Sequence, residues 1–405
     1  MAPPPRIRVY RAEESFDSRR ATLAADGKID AKARASILAF VDHLGALGLT
    51  VHRQNFYLSN LRTLARLLGR SFVNPTRADL ERVLAKIEKS DYEYWTKVNF
   101  RTTVKRFYKW HLGNDEEYPD IVRWIRTKNG GRAREKMPTD LLSPEEVEKL
   151  LDACTHARDK ALVSILYDSG CRISEILTLR WGHVTFESWG AALTVHGKTG
   201  TRRVVVVGNS IPYLLAWKEI YPLGGEPEAP VFVGQNAAGS KQGGADEAMN
   251  YASARRVIKM AAEHAGLRKR IHPHLFRHTR ATELAKKVTE APLEAQMGWV
   301  PGSGMAKVYV HLSGRDQDAA ILKAHGIKLE DGDETQTTRP KQCPRCDAQN
   351  ASNAKFCRKC GMPLETEAAL QVDKTRENLM TAFMQLASDP KFQKLVAQAL
   401  AREQT

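Results

Sequence analysis

His272-Pro273-His274-Leu275-Phe276-Arg277-His278-Thr279 is the stretch on which the reading turns. Proline is at home in the first turn of a helix, because the amide it lacks has no partner there, so a helix should open at Pro273. Side chains three and four apart share a helical face. His274 and Arg277 therefore share a face within the first turn, where unpaired N–H groups and the helix dipole favour an anion. Three imidazoles and a guanidinium in so short a run are unusual for packing alone, although a histidine-rich structural cap has the same composition.

Three other segments carry comparable chemistry. Upstream, Ser169-Gly170-Cys171-Arg172-Ile173-Ser174-Glu175 sets Arg172 at the opening of another amphipathic helix, with Glu175 three residues on and on the same face. Between the two, Ala191 to His196 and Arg202 to Val207 are β-rich and flank Gly197-Lys198-Thr199-Gly200, which predicts a hairpin with Lys198 on its turn. Downstream come Gln296-Met297-Gly298-Trp299 and then Lys307-Val308-Tyr309-Val310-His311. Taken singly, a surface arginine, a solvated turn lysine or a packed tryptophan or tyrosine explains each of these as well.

In order and separation, the set resembles the tyrosine recombinase (phage integrase) family. Its pattern is an Arg in G-x-R-x-x-E, a Lys in a β-turn, an H-x-x-R-H helix, a G-H or G-W pair, and a Tyr in a Y-x-H context. The resemblance covers roughly residues 30–325; Trp299 stands where many members carry His. It implies a catalytic set of Arg172, Lys198, His274, Arg277, Trp299 and Tyr309, supported by Glu175 and His278. In that scheme Tyr309 attacks a DNA phosphate to give a 3′-phosphotyrosine and a free 5′ hydroxyl. Arg172 and Arg277 hold the non-bridging oxygens, since planar forks of donors suit a developing dianion. Trp299 adds a neutral donor, His274 helps take the phenolic proton, Lys198 protonates the departing oxygen, and Glu175 orients Arg172 or His278. One ester replaces another of similar energy, so neither ATP nor a catalytic cofactor is expected. The rivals weighed against a site-specific recombinase or integrase are a type IB topoisomerase-like DNA relaxase and a DNA-binding regulator without catalysis.

Composition agrees with a nucleic-acid partner. The 405 residues carry a formal net charge of +15, and a basic surplus is the electrostatic footprint of polyanion binding. The run Tyr94 to Trp110 interleaves basic residues, among them Lys97, Arg101 and Lys105, with Phe100, Phe107, Tyr108 and Trp110, predicting a helix with one aromatic and one basic side. Arg132, Arg134 and Lys136 lie in a glycine-containing basic linker. All six are candidate DNA contacts. The resemblance further implies double-stranded DNA as substrate and a homo-oligomer, a tetramer, assembled on it, with the helix at about 317–323 docking on a neighbouring protomer. No stretch has the apolar length of a membrane span and the first ten residues hold no apolar signal-peptide core, so no membrane partner and a cytoplasmic, nucleoid-associated location are expected.

Near the other end, Cys343-Pro344-Arg345-Cys346 and Cys357-Arg358-Lys359-Cys360 form two CxxC pairs. That pattern favours a closed, structural Zn²⁺ site over disulfides. A segment so short needs the metal to fold. Cys154 and Cys171, alone within apolar runs, read as small core residues.

The expected fold is mainly α with a small β-hairpin sheet. Its parts are a flexible arm (1–27), a helical core-binding (SAM-like) DNA-binding domain (28–126), a basic linker (127–140), an α+β tyrosine recombinase catalytic domain (141–328), a second linker (329–342), a zinc ribbon (343–364) and a helical tail (365–405).

Overall fold

A computed structural model describes residues 7, 9–10, 12–113, 116–127, 140–187, 189–223, 226–234, 248–312 and 340–365, with isolated positions between 368 and 392. The chain divides into two compact units, Tyr10–Lys136 and Met1–Val9 with Met137–Thr405. The linker residues Arg132, Arg134 and Lys136 and the segment at 317–323 lie outside the described residues.

The first unit is helical. It contains α1 (Ala12–Ala24), α2 (Ala31–Ala46), α3 (Val51–Leu68), α4 (Arg77–Glu88), α5 (Tyr94–Leu112) and the short α6 (Asp120–Arg123). Thr76 and Asp79 close a reciprocal capping box at the start of α4, as the Asn74-Pro75-Thr76 run predicts. Leu58, Leu61 and Leu64 of α3 pack with Phe40, Phe72 and Phe107. Each such side chain, fully buried, contributes roughly 1.5–3 kcal/mol from lost apolar exposure.

The expected flexible arm over 1–27 needs correction. Residues 12–24 form α1, with Leu23 fully buried. Ile7 and Val9 belong to the core of the other unit, where the Val9 carbonyl accepts from Tyr251 N at 3.0 Å. α1 buries only one apolar side chain, so its sequence shows no helical stripe to recognise.

In the second unit, α7 (Pro144–Ala153) opens on a capping box between Ser143 and Glu146. Then follow α8 (Ala157–Ser169), α9 (Ile173–Leu177), a three-stranded antiparallel sheet of β1 (Val184–Glu187), β2 (Gly190–Gly197) and β3 (Gly200–Val206), and α10 (Ser210–Glu219). The predicted hairpin is β2–β3, paired from Ala191–Val206 to Gly197–Gly200 around the Lys198 turn. β1 extends it by one strand that the sequence reading did not anticipate. After α11 (Tyr251–His264) come α12 (Pro273–Ala285), α13 (Glu290–Met297) and α14 (Met305–Leu312). The core runs through α7, α8, α11 and the inner face of the sheet, and takes in Cys154 and Cys171 as expected. Helices α12 to α14 hold a smaller apolar cluster of their own.

Beyond them, β4 (Lys341–Gln342) pairs with β5 (Gln349–Asn350) in a small ribbon, which thus begins two residues before the first cysteine. The ribbon rests on α7 and α10. Asn209 donates to Ser352 Oγ at 2.7 Å and accepts from Ser352 N at 3.0 Å, both residues being buried. Tyr213 donates to Asn353 at 3.1 Å, Asn353 to Asp152 at 2.9 Å, and Arg358 to Glu219 at 2.7 Å. Of the expected tail, the described positions from 368 on are helical, and Leu379 and Phe383 are exposed.

Candidate active site and metal centre

Three loop-to-helix junctions meet at the site. Gly170, in the left-handed conformation, ends α8, and Arg172 caps α9 two residues later. His272 caps α12 by accepting from Leu275 N, with Pro273 in the first turn, so His274, Arg277 and His278 lie on the first and second turns. Gly298, also left-handed at φ 62°, ends α13 and turns the chain into Trp299.

These junctions present backbone carbonyls that the arginines use as anchors. Arg277, 6% exposed, donates from Nη1 to the Gly170 carbonyl at 2.9 Å and from Nη2 to the Met297 carbonyl at 2.5 Å. Arg172 reaches the Gly298 carbonyl from Nη2 at 3.4 Å and Glu175 Oε1 from Nη1 at 2.9 Å. Glu175 is 1% exposed and also receives both terminal nitrogens of Arg202, each at 2.8 Å. Burial raises the Glu175 carboxyl, but the Arg202 and Arg172 bonds outweigh it and hold the group below its ordinary value of 4.5. Arg277 is also lowered, to about 10, by burial and then by the neighbouring Arg172; for a cation, unlike the carboxylate, this disfavours the charged form. Three guanidiniums thus surround a single carboxylate, leaving an unbalanced positive charge that an anion would relieve.

Tyr309 sits in α14, 3% exposed, between two rings. Trp299 stacks on it with centroids 5.0 Å apart and planes 14° from parallel, and His278 lies on it at 5.8 Å and 29°. His278 Nδ1 and Tyr309 Oη share a hydrogen bond of 2.6 Å. Burial raises the phenol above its usual range, and Arg277 pulls against that rise. Arg277 also lies 5.6 Å over the Trp299 ring.

The structure therefore brings together Arg172, Glu175, Arg277, His278, Trp299 and Tyr309. Lys198 is exposed on its turn, which is tied to the site by the Thr199 hydroxyl donating to the Gly298 carbonyl at 3.2 Å. One expectation changes. His278, rather than His274, holds the phenol; His274 is exposed in the turn before it. Tyr309 is packed under Trp299. The residue that sequence reading passed over is Arg202. Its signal was parity: it shares a strand face with the buried Val204 and Val206, where a cation needs a buried partner.

The expected phosphate contacts of α5 have partners within their own unit. Arg101 is 5% exposed and donates to Glu88 at 2.8 Å, so its guanidinium is turned inward and spent on that carboxylate. Lys97 donates to the Glu88 carbonyl at 2.7 Å, and Lys105 lies 4.5 Å over the Tyr118 ring.

In the ribbon, the Sγ atoms of Cys343, Cys346, Cys357 and Cys360 all lie within 4.8 Å of one another. The pairs Cys343–Cys360 and Cys346–Cys357 are 3.6 and 3.5 Å apart. That is far longer than a disulfide, about 2 Å, and close to the roughly 3.8 Å between sulfurs of a tetrahedron with 2.3 Å zinc–sulfur bonds. Each CxxC forms a matching knuckle: Asp347 N donates to the Cys343 carbonyl and Gly361 N to the Cys357 carbonyl, both at 2.9 Å. The donor set fits a closed four-thiolate zinc site.

Comparison with known proteins agrees with this geometry. Residues 140–315 match the family model described as the phage integrase family, and residues 342–364 match a zinc-ribbon domain. The tyrosine recombinase XerC of Xanthomonas campestris pv. campestris (strain B100) is 30% identical over 216 residues, 52% of this chain and 62% of that protein's length. The chain thus matches less than two thirds of that relative. The fold is that of the XerH site-specific recombinase bound to palindromic difH substrate (TM-score 0.53, 19% identity, 80% of this chain and 100% of that one). It is also that of a lambda integrase tetramer bound to a Holliday junction (TM-score 0.51, 14% identity, 66% and 77%). Residues 140–315 thus carry a phage integrase family domain, and residues 342–364 a zinc-ribbon domain.

Proposed function

We propose that the chain is a site-specific DNA recombinase or integrase that breaks and rejoins strands through a Tyr309 phosphotyrosine. The observation that carries this reading is the charge at the three junctions. Arg172 and Arg277 share an anchoring strip of carbonyls, Arg172 bonds a carboxylate already shared with Arg202, and Arg277 lies close enough to the Tyr309 phenol to pull its pKa down. A phosphodiester supplies the missing negative charge, and its non-bridging oxygens match planar guanidinium forks.

For the reaction, Tyr309 Oη displaces the 5′ oxygen of the scissile phosphate, forming a P–O bond to the phenol and leaving a 5′ hydroxyl. His278 is placed to accept the phenolic proton, Lys198 on the adjoining turn to protonate the leaving oxygen, and the arginines to hold charge in the transition state. Tyr309 has first to leave the Trp299 stack. Gly302 and Gly304, both at positive φ between Trp299 and α14, supply a joint for that movement. The zinc ribbon carries a structural Zn²⁺ on its four cysteines. Double-stranded DNA is the substrate, and assembly on it is tetrameric, as in the lambda integrase complex named above.

Plasmids bearing one or two copies of the mapped target test the reading. A recombinase exchanges strands between paired sites, whereas a topoisomerase relaxes supercoils with one site or none. Tyr309→Phe should abolish the covalent adduct and leave DNA binding intact; an adduct surviving that change removes the nucleophile.

A further inference from the structure

Arg202 has no part in the chemistry above, yet the site is built around it. It occupies the third position of β3, on the face it shares with Val204 and Val206, both fully buried, while Arg203 faces outward. A cation on that face is tolerated only when its donors are satisfied. Nη1 donates to Glu175 Oε1 and Nη2 to Glu175 Oε2, both at 2.8 Å, and Nε donates to the Gln296 carbonyl at 3.2 Å.

Glu175 is thereby filled. Its Oε1 also accepts from Arg172 Nη1 at 2.9 Å, and its Oε2 from the Arg172 backbone N at 2.8 Å. A carboxylate has about four lone-pair positions, so two arginines divide it between them. With Arg202 gone, half of a buried carboxylate would be left to draw the Arg172 guanidinium onto itself and away from a phosphate. Space points the same way. A Cβ at Gly197 would lie 2.4 Å from Glu175 Oε1 and 3.2 Å from Arg202 Nη1, and one at Gly298 would lie 2.6 Å from Arg202 Nη1. Both glycines leave room for this ion pair, on the hairpin and on the turn that leads to Trp299.

We propose that Arg202 is a positioning residue, which through Glu175 fixes the direction of the Arg172 guanidinium and locks the Lys198 hairpin to the end of α13. The proposal rests on the reading of the site as a phosphoryl-transfer centre. It predicts that Arg202→Met slows single-turnover adduct formation at saturating DNA by roughly tenfold to a hundredfold, the usual scale for losing a partner of a reacting group. DNA affinity should change little, and Arg202→Lys should recover part of the rate. When one non-bridging oxygen of the scissile phosphate is replaced by methyl, the charge Arg172 meets is gone. On at least one of the two diastereomers the Arg202→Met defect should therefore shrink severalfold. An equal defect on all three substrates, or a loss confined to DNA affinity, overturns the proposal. Nitrogen-15 NMR of arginine side chains tests it without catalysis: the Arg172 Nε–H resonance should shift and lose exchange protection in Arg202→Met and less so in Arg202→Lys. If wild-type protein forms no adduct, the recombinase reading fails; an Arg172 resonance unchanged in Arg202→Met defeats the positioning role.

Discussion

At the scale of single residues, the site is an exercise in placing positive charge where little negative charge answers it. Arg277 loses its hydration and gains two carbonyls, but, among the described residues, no carboxylate of its own. Arg277→Ala should cost the cleavage step about a hundredfold to a thousandfold, the scale seen when one donor to a developing oxyanion is lost, read as single-turnover adduct formation. Glu175 gives a pH prediction. Its folded-state value is depressed, so its contribution to stability is present above the ordinary carboxylate value of 4.5 and is lost as pH falls below it. Thermal melts of the second unit taken from about pH 5 toward pH 3 should fall, and Glu175→Gln should start lower and fall less steeply. A melt whose slope ignores that substitution contradicts the assigned ion pairs.

At the scale of elements, what decides the site is where helices and strands end. Gly298 closes α13 at φ 62°, with the Arg202 guanidinium where a side chain would go. Gly298→Ala should cost about 1–3 kcal/mol in unfolding free energy by denaturant titration, as forced left-handed residues do, and slow cleavage. The elements legible in the sequence were those with local causes. Pro273 after a capping His272, the Ser143–Glu146 and Thr76–Asp79 boxes, and the glycine-bounded turn of β2–β3 all settle within a few residues. Those that escaped depend on distant partners. α1 buries Leu23 alone and so has no stripe, and the short β1 is specified by its pairing to β2. Arg101 was expected to face DNA, but an ion pair to Glu88 turns it inward; Tyr309 lies packed under Trp299. That Arg172, Arg277 and Tyr309 would cluster could be read from order; which histidine meets the phenol could not, because His274 and His278 lie one turn apart on one helix.

At the scale of the whole molecule, the ribbon is bonded to the catalytic fold through Asn209, Tyr213, Asp152 and Glu219. Metal content should be about one zinc per chain, for a closed four-sulfur site. Stripping it with a chelator should unfold the ribbon and lower the melting temperature of the second unit as well, since the Asn209–Ser352 bonds go with it; an unchanged melt would mean the contact contributes nothing. The net charge of +15 predicts DNA affinity that falls steeply with salt, because bound counterions are released. The claim beneath all of this is a covalent bond from one phenol to DNA. Incubating the protein with a nicked duplex of its mapped target, digesting the trapped complex and sequencing the nucleotide-bearing peptide by mass spectrometry reads that bond directly. A 3′-phosphate ester on Tyr309 is the expected product; an ester on any other residue, or a 5′-phosphate linkage, would rule out Tyr309 as the nucleophile.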